Sequence, residues 1–181
     1  MRTQALLLSD CYVGCVIAVL LASMPTATAL ASPGSILAPG SLEVPVSPSC
    51  ITSPFGPRRR IGPNASGFHK GVDLAAPAGG VIRAVADGRV LAIHKRGPGG
   101  LEILIEHGEP GAGGFVSLYS HIGLVAPAFA EGKRQVKAGE KIGVVGRTGV
   151  TYGTHLYFGI LVNGVAIDPE PVLPVTRCGR P

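Results

Sequence analysis

Thr154-His155-Leu156-Tyr157-Phe158-Gly159-Ile160-Leu161-Val162-Asn163-Gly164-Val165-Ala166-Ile167 is the stretch that decides the fold class. His155–Val162 predicts a strand, and Val165–Ile167 predicts a second. Branched and aromatic side chains suit a pleated surface. Asn163-Gly164 between them tolerates the positive φ of a tight reversal. Working outward, Val81–Ala86, Arg89–His94, Leu101–Glu106, Phe115–Ser120 and Lys141–Val145 also predict strands, with Asp87-Gly88 read as a hairpin turn. No stretch shows a convincing helical period. Short strands between glycine-rich turns predict an all-β sandwich or barrel.

Composition agrees. Of 181 residues, 46% are hydrophobic and 15% charged, which excludes a disordered polar chain. Gly 27 and Pro 16 supply the turns. Trp is absent and aromatics are 5%, too few for a stacking surface on single-stranded nucleic acid. The net charge of +5 reads as a solvated basic surface, and no nucleic-acid partner is expected.

Residues 1–31 read as a signal peptide: Arg2, an apolar run near Val13–Ala22, and a cleavage site at Ala29-Leu30-Ala31. The run is short for a membrane span, so no stable span is expected in the mature chain, which would be secreted or periplasmic. A short N-terminal anchor is the alternative. Residues 32–49, rich in Pro and Ser, read as a linker or pro-segment, and 50–178 as the folded domain. Cys11 and Cys15 leave with the signal. Cys50 and Cys178 then bracket the domain and predict a disulfide. Closing so long a loop contributes roughly 5 kcal/mol in the chain-entropy model.

His69 and Asp73 stand four apart, and an imidazole with a carboxylate can share one metal ion. Such a pair in a loop is more often a surface hydrogen bond. His155 and Tyr157, two apart on a strand, point to one face. No phosphate-binding glycine loop, dinucleotide fingerprint or nucleophile elbow occurs. Arg58-Arg59-Arg60 reads as a basic turn, with a grip on an anionic polymer as the alternative. His94 reads as solvated and His107 as a packing or turn histidine.

The motifs Ile51-Thr52-Ser53-Pro54-Phe55-Gly56-Pro57-Arg58, Gly67-Phe68-His69-Lys70-Gly71-Val72-Asp73, Leu118-Tyr119-Ser120-His121 and Gly153-Thr154-His155-Leu156-Tyr157-Phe158 together resemble the lysostaphin/LytM-type zinc metallopeptidases. The resemblance covers about residues 50–174. It implies an antiparallel β-sandwich of the duplicated-hybrid-motif kind, a Zn²⁺ cofactor and action on peptidoglycan peptides. It assigns His69 and Asp73 as zinc ligands and His121 and His155 as catalytic histidines. The third ligand is usually a histidine, and here that position is Tyr157. Two residues on, the usual Glu is Gly159.

A phenol with an ordinary pKa near 10 costs about 4 kcal/mol to ionise at pH 7 before a metal offsets it. Three readings follow. Tyr157 ligates zinc, and the chain is a slow or specialised endopeptidase cutting cross-bridges or stems. Alternatively, the domain is an inactive module that binds cell wall or activates another cell-wall hydrolase. The third is a structural envelope component.

Overall fold

The computed structural model describes residues 37–59, 66–109 and 113–179. The signal segment and Arg60 lie outside the described residues. The strands are β1 Ile51–Ser53, β2 Gly56–Pro57, β3 Phe68–His69, β4 Val72–Ala75, β5 Val81–Arg83, β6 Gly88–His94, β7 Glu102–His107, β8 Phe115–Ser120, β9 Ile122–Val125, β10 Gln135–Val136, β11 Lys141–Val145, β12 His155–Val162 and β13 Val165–Ile167. Helix is limited, among the described residues, to the single turn α1, Pro127–Ala130, and a 3-10 turn at Glu170–Val172.

All pairings between these strands are antiparallel. The main sheet runs β1-β4-β12-β8-β7-β6-β10, with β13 also paired to β12. A second sheet runs β5-β11-β9, and β2 and β3 form a small ribbon. Strand alternation explains why the main sheet has an apolar face. Val72 and Leu74 of β4, Ile103 and Ile105 of β7, Tyr119 of β8, and Leu156, Phe158 and Ile160 of β12 are buried in one core. Ile82 of β5, Ile122 of β9, and Ile142 and Val145 of β11 join that core from the second sheet. The expected all-β antiparallel class is what the chain adopts.

The turn at Asn163-Gly164 forms as expected, with φ of 50° and 78°, and Val162 pairs with Val165 across it. Asp87-Gly88 corrects the other turn expectation. β5 pairs with β11, whereas β6 pairs with β7 and β10, so the chain crosses between sheets here. The Asp87 carboxylate accepts hydrogen bonds from the Ala138 N–H at 2.8 Å and from Lys137 Nζ at 2.7 Å. Those long-range partners, together with burial of Ala84 and Val85, outweigh the local turn signal.

The segment read as a linker also differs. Its described part packs on the domain, with Leu42 and Val46 buried in the core. Val46 bridges to Ile82, and the Glu43 N–H donates to the Val85 carbonyl. Apolar residues between the prolines supply that anchoring. Cys50 and Cys178 form the expected disulfide.

Candidate functional site

The face of the main sheet opposite the core carries the polar side chains. The same alternation that buries Leu156 and Phe158 turns His155, Tyr157 and Gly159 outward. Tyr157 stands across from Asp73 on β4 and from Ser120 on β8. Over this face lies a groove of about 610 Å³ whose walls include His69, Asp73, Glu102, His121, His155 and Tyr157. The structure thus brings together all five residues that the resemblance singled out. His69 and Asp73, read from sequence as a loop pair, belong instead to β3 and β4. Those strands were missed because two- and four-residue runs carry too little alternation.

Asp73 is the hub. Its Oδ1 lies 3.2 Å from His69 Nε2 and 3.3 Å from His155 Nε2, and its Oδ2 lies 3.3 Å from Arg58 Nη1. Burial opposes ionisation of this carboxyl, but the flanking His155 and His69, when a proton sits on Nε2 between ring and carboxylate, outweigh it and hold Asp73 well below the usual carboxylate range. Arg58 also donates to Ser53 Oγ at 3.0 Å. The sequence reading of Arg58 as part of a solvated basic turn is corrected here, because Asp73 draws it into the site. Arg59 is exposed.

Each imidazole is fixed through Nδ1. His69 Nδ1 lies 3.0 Å from the Pro54 carbonyl, His155 Nδ1 3.1 Å from that of Gly153, and His121 Nδ1 2.8 Å from that of Thr148. A carbonyl only accepts, so Nδ1 is assigned the proton, and a neutral ring keeps its lone pair on Nε2. The consequence is sharpest at His69. Its Nε2 is buried, has no hydrogen-bond partner, and faces a carboxylate oxygen. Two lone pairs at that distance repel unless a cation, proton or metal ion, lies between them.

His121 sits at φ 62°, an uncommon conformation for a residue other than glycine. Its N–H donates to the Gly99 carbonyl at 2.9 Å, and the Thr148 contact clamps its ring. Burial pushes its pKa down, which favours the neutral ring at pH 7. A neutral imidazole with a free Nε2 can accept a proton in the groove. The His121 and His155 rings meet edge to face at 4.8 Å between centroids.

Tyr157 behaves differently from the histidine it replaces. A Cβ built on Gly71 would lie 2.9 Å from the Tyr157 hydroxyl, and one built on Gly159 would lie 3.4 Å from it. The phenol therefore rests over two glycines. The hydroxyl makes no hydrogen bond to any described residue. Burial, reinforced by the charges of Asp73 and Glu102 and opposed by Arg58, pushes its pKa up to about 12. That favours the neutral phenol in the metal-free groove.

His69 Nε2 and Asp73 Oδ1 fit a divalent cation, as the orphaned nitrogen shows. Tyr157 fits poorly as the third donor, because its hydroxyl is seated over Gly71 and Gly159 and a phenol must first lose its proton to replace an imidazole. A catalytic zinc normally takes three protein ligands. Two fitting donors are too few for that set, and no group of three His, Cys, Asp or Glu suited to a metal occurs among the described residues.

Sequence reasoning also missed Glu102 and Ser120, which line the groove, and Thr148, whose carbonyl holds His121. Alternation on Glu102–His107 and Phe115–Ser120 places Glu102 and Ser120 beside each other, but nothing local marks them as functional.

His107 has the packing role expected of it. It is buried, stacks on Phe115 at 4.5 Å, and lies 2.7 Å from Ser117 Oγ and 2.9 Å from the Asp87 carbonyl. His94 is exposed, as expected.

The chain was compared with known proteins. A model of "Peptidase family M23" matches residues 67–169. The DD-carboxypeptidase/endopeptidase Mpg of Neisseria meningitidis serogroup B is 37% identical over 122 residues, 67% of this chain and 26% of that protein. The murein hydrolase activator NlpD of Escherichia coli strain K12 is 37% identical over 112 residues, 61% of this chain and 27% of that protein. The chain thus spans about a quarter of the length of these curated relatives. Among solved structures, the catalytic domain of lysostaphin from Staphylococcus simulans aligns at a TM-score of 0.57 and 27% identity, covering 68% of this chain and 90% of that one. A zinc containing peptidase from Vibrio cholerae aligns at 0.60 and 31%, covering 72% and 39%. The match of the family model over more than half of the sequence, with the same residues lining one groove, shows that the chain belongs to peptidase family M23.

Proposed function

We propose that this chain binds peptide segments of bacterial peptidoglycan in its groove without the family's zinc hydrolysis, as a wall-binding module or as an activator of another cell-wall hydrolase. The observation that carries this reading is the seat of Tyr157 over Gly71 and Gly159, which leaves the third zinc position without a donor. The similarity to both an endopeptidase and a murein hydrolase activator supports peptidoglycan as the common target. Export of the chain, secreted or periplasmic, follows from the signal-like residues 1–31. No helix among the described residues is long and apolar enough to cross a membrane.

A second reading, a slow or specialised zinc endopeptidase, is favoured by the unpartnered His69 Nε2 facing Asp73. In it His121 and His155 keep the proton-handling roles that the resemblance assigns them.

Cosedimentation with purified sacculi, paired with release of soluble fragments in the presence and absence of added zinc, separates the two. The proposal expects binding without release. Zinc-dependent release would replace it with the second reading, and no binding would remove both.

A further inference from the structure

We propose that Glu102 forms a subsite for a primary ammonium group on a peptide lying in the groove, an inference that rests on the peptidoglycan reading for its natural ligand. The groove holds two carboxylates in contrasting states. Asp73 is surrounded: Arg58 on one oxygen, His69 and His155 on the other. Glu102 has no Lys or Arg within 4.0 Å among the described residues. Its nearest cationic candidate is the exposed His94 imidazole, 3.6 Å from Oε2.

The Glu102 carboxylate is nonetheless built into place. Oε1 accepts a hydrogen bond from Ser120 Oγ at 2.6 Å. It also packs against Gly99, where a Cβ would fall on it. Only 18% of the side chain is exposed, so the charge faces the groove rather than bulk water. Its field reaches both His121 and Tyr157. A fixed, poorly compensated anion in a peptide-sized groove favours a cationic ligand.

The geometry also selects the kind of cation. Ser120 already occupies one lone pair of Oε1 and His94 stands 3.6 Å from Oε2, so the side-on approach to both oxygens is obstructed while a single lone pair stays open. A guanidinium gains its advantage from two parallel bonds to both carboxylate oxygens, whereas an ammonium is a point charge that one oxygen serves. Peptide ammonium groups come from the side chain of a diamino acid or from a free α-amine.

Three pentapeptides of sequence Ala-Glu-Lys-Ala-Ala separate these sources: one with only the ε-amine free, one with only the α-amine free, and one with both acetylated. Binding is followed by amide chemical shifts at low salt. The wild-type chain is expected to bind at least one amine-bearing peptide about tenfold more tightly than the blocked one. The better of the two identifies the amine source. Glu102→Gln keeps an oxygen for Ser120 and is expected to bind all three alike, at the blocked peptide's affinity.

Equal binding of all three by wild type, no binding of any, or a preference that survives in Glu102→Gln would overturn the proposal. Cosedimentation with sacculi runs in parallel. A peptide preference without sacculus binding would keep the Glu102 subsite and remove the peptidoglycan reading.

Discussion

His69 and His107 are both buried histidines, each with Nδ1 about 3 Å from a backbone carbonyl and an aromatic ring alongside. They differ at Nε2. That of His107 meets the Ser117 hydroxyl at 2.7 Å, so the ring is satisfied and packs like any core residue. That of His69 meets no hydrogen-bond partner and faces the Asp73 carboxylate. A buried polar atom without a partner is expensive, which supports the proposal of a cation, proton or metal ion, between this nitrogen and Asp73. Burial alone therefore does not separate a structural histidine from a ligand. The second ring nitrogen does.

The largest effect expected from this contrast comes from restoring the missing donor. Tyr157→His should raise zinc affinity at least about a hundredfold, since losses outside the first coordination shell alone commonly cost 10- to 100-fold. Calorimetric zinc titration checks this. In that background, His69→Ala should abolish the gain, and His107→Ala should leave it intact. An unchanged zinc affinity in Tyr157→His would break the comparison at its root.

The converse effect falls on stability. His107→Ala should lower unfolding free energy by about 1–3 kcal/mol, because Ser117 loses its partner and a cavity opens beside Phe115. Denaturant unfolding measures it.

The pairing of Asp73 gives a pH test. Its folded pKa lies below its unfolded value of about 4, so its contribution is complete above that value and declines as pH falls below it. The stability gap between wild type and Asp73→Asn should therefore be full at pH 7 and shrink progressively below about pH 4. A gap unchanged down to pH 2 would contradict the charge pairing.

The smallest effect expected is at Gly159. A Cβ there makes only ordinary 3.4 Å contact with the Tyr157 ring, so Gly159→Ala should shift stability by less than about 0.5 kcal/mol. At Gly71 a Cβ would meet the Phe158 carbonyl as well as the ring, so a larger loss there sharpens the picture of where the phenol rests.

What was legible in the sequence follows from range. β6, β7, β8, β11, β12 and β13 have enough alternation to be read locally, whereas the short β9 and β10 went unread, and Asn163-Gly164 is a turn whose chemistry is complete in two residues. Asp87-Gly88 misled because its partners, Lys137 and Ala138, lie some fifty residues away. β3 and β4 were too short to show a pattern, although they carry His69 and Asp73. The five groove residues were identified by motif resemblance rather than by physics of the bare sequence. Neither source could show that Asp73 captures Arg58, or that Gly71 and Gly159 make the seat for Tyr157. These are contacts between distant segments, invisible until the sheet register sets Tyr157 beside Asp73.

The central claim is that Tyr157 leaves the zinc site one donor short. Titrating zinc into the mature protein at pH 7, while recording bound metal and phenolate absorbance near 295 nm, tests it most directly. The account predicts substoichiometric zinc at micromolar concentrations and no phenolate band. Near one zinc per chain, with a phenolate band that Tyr157→Phe removes, would contradict it.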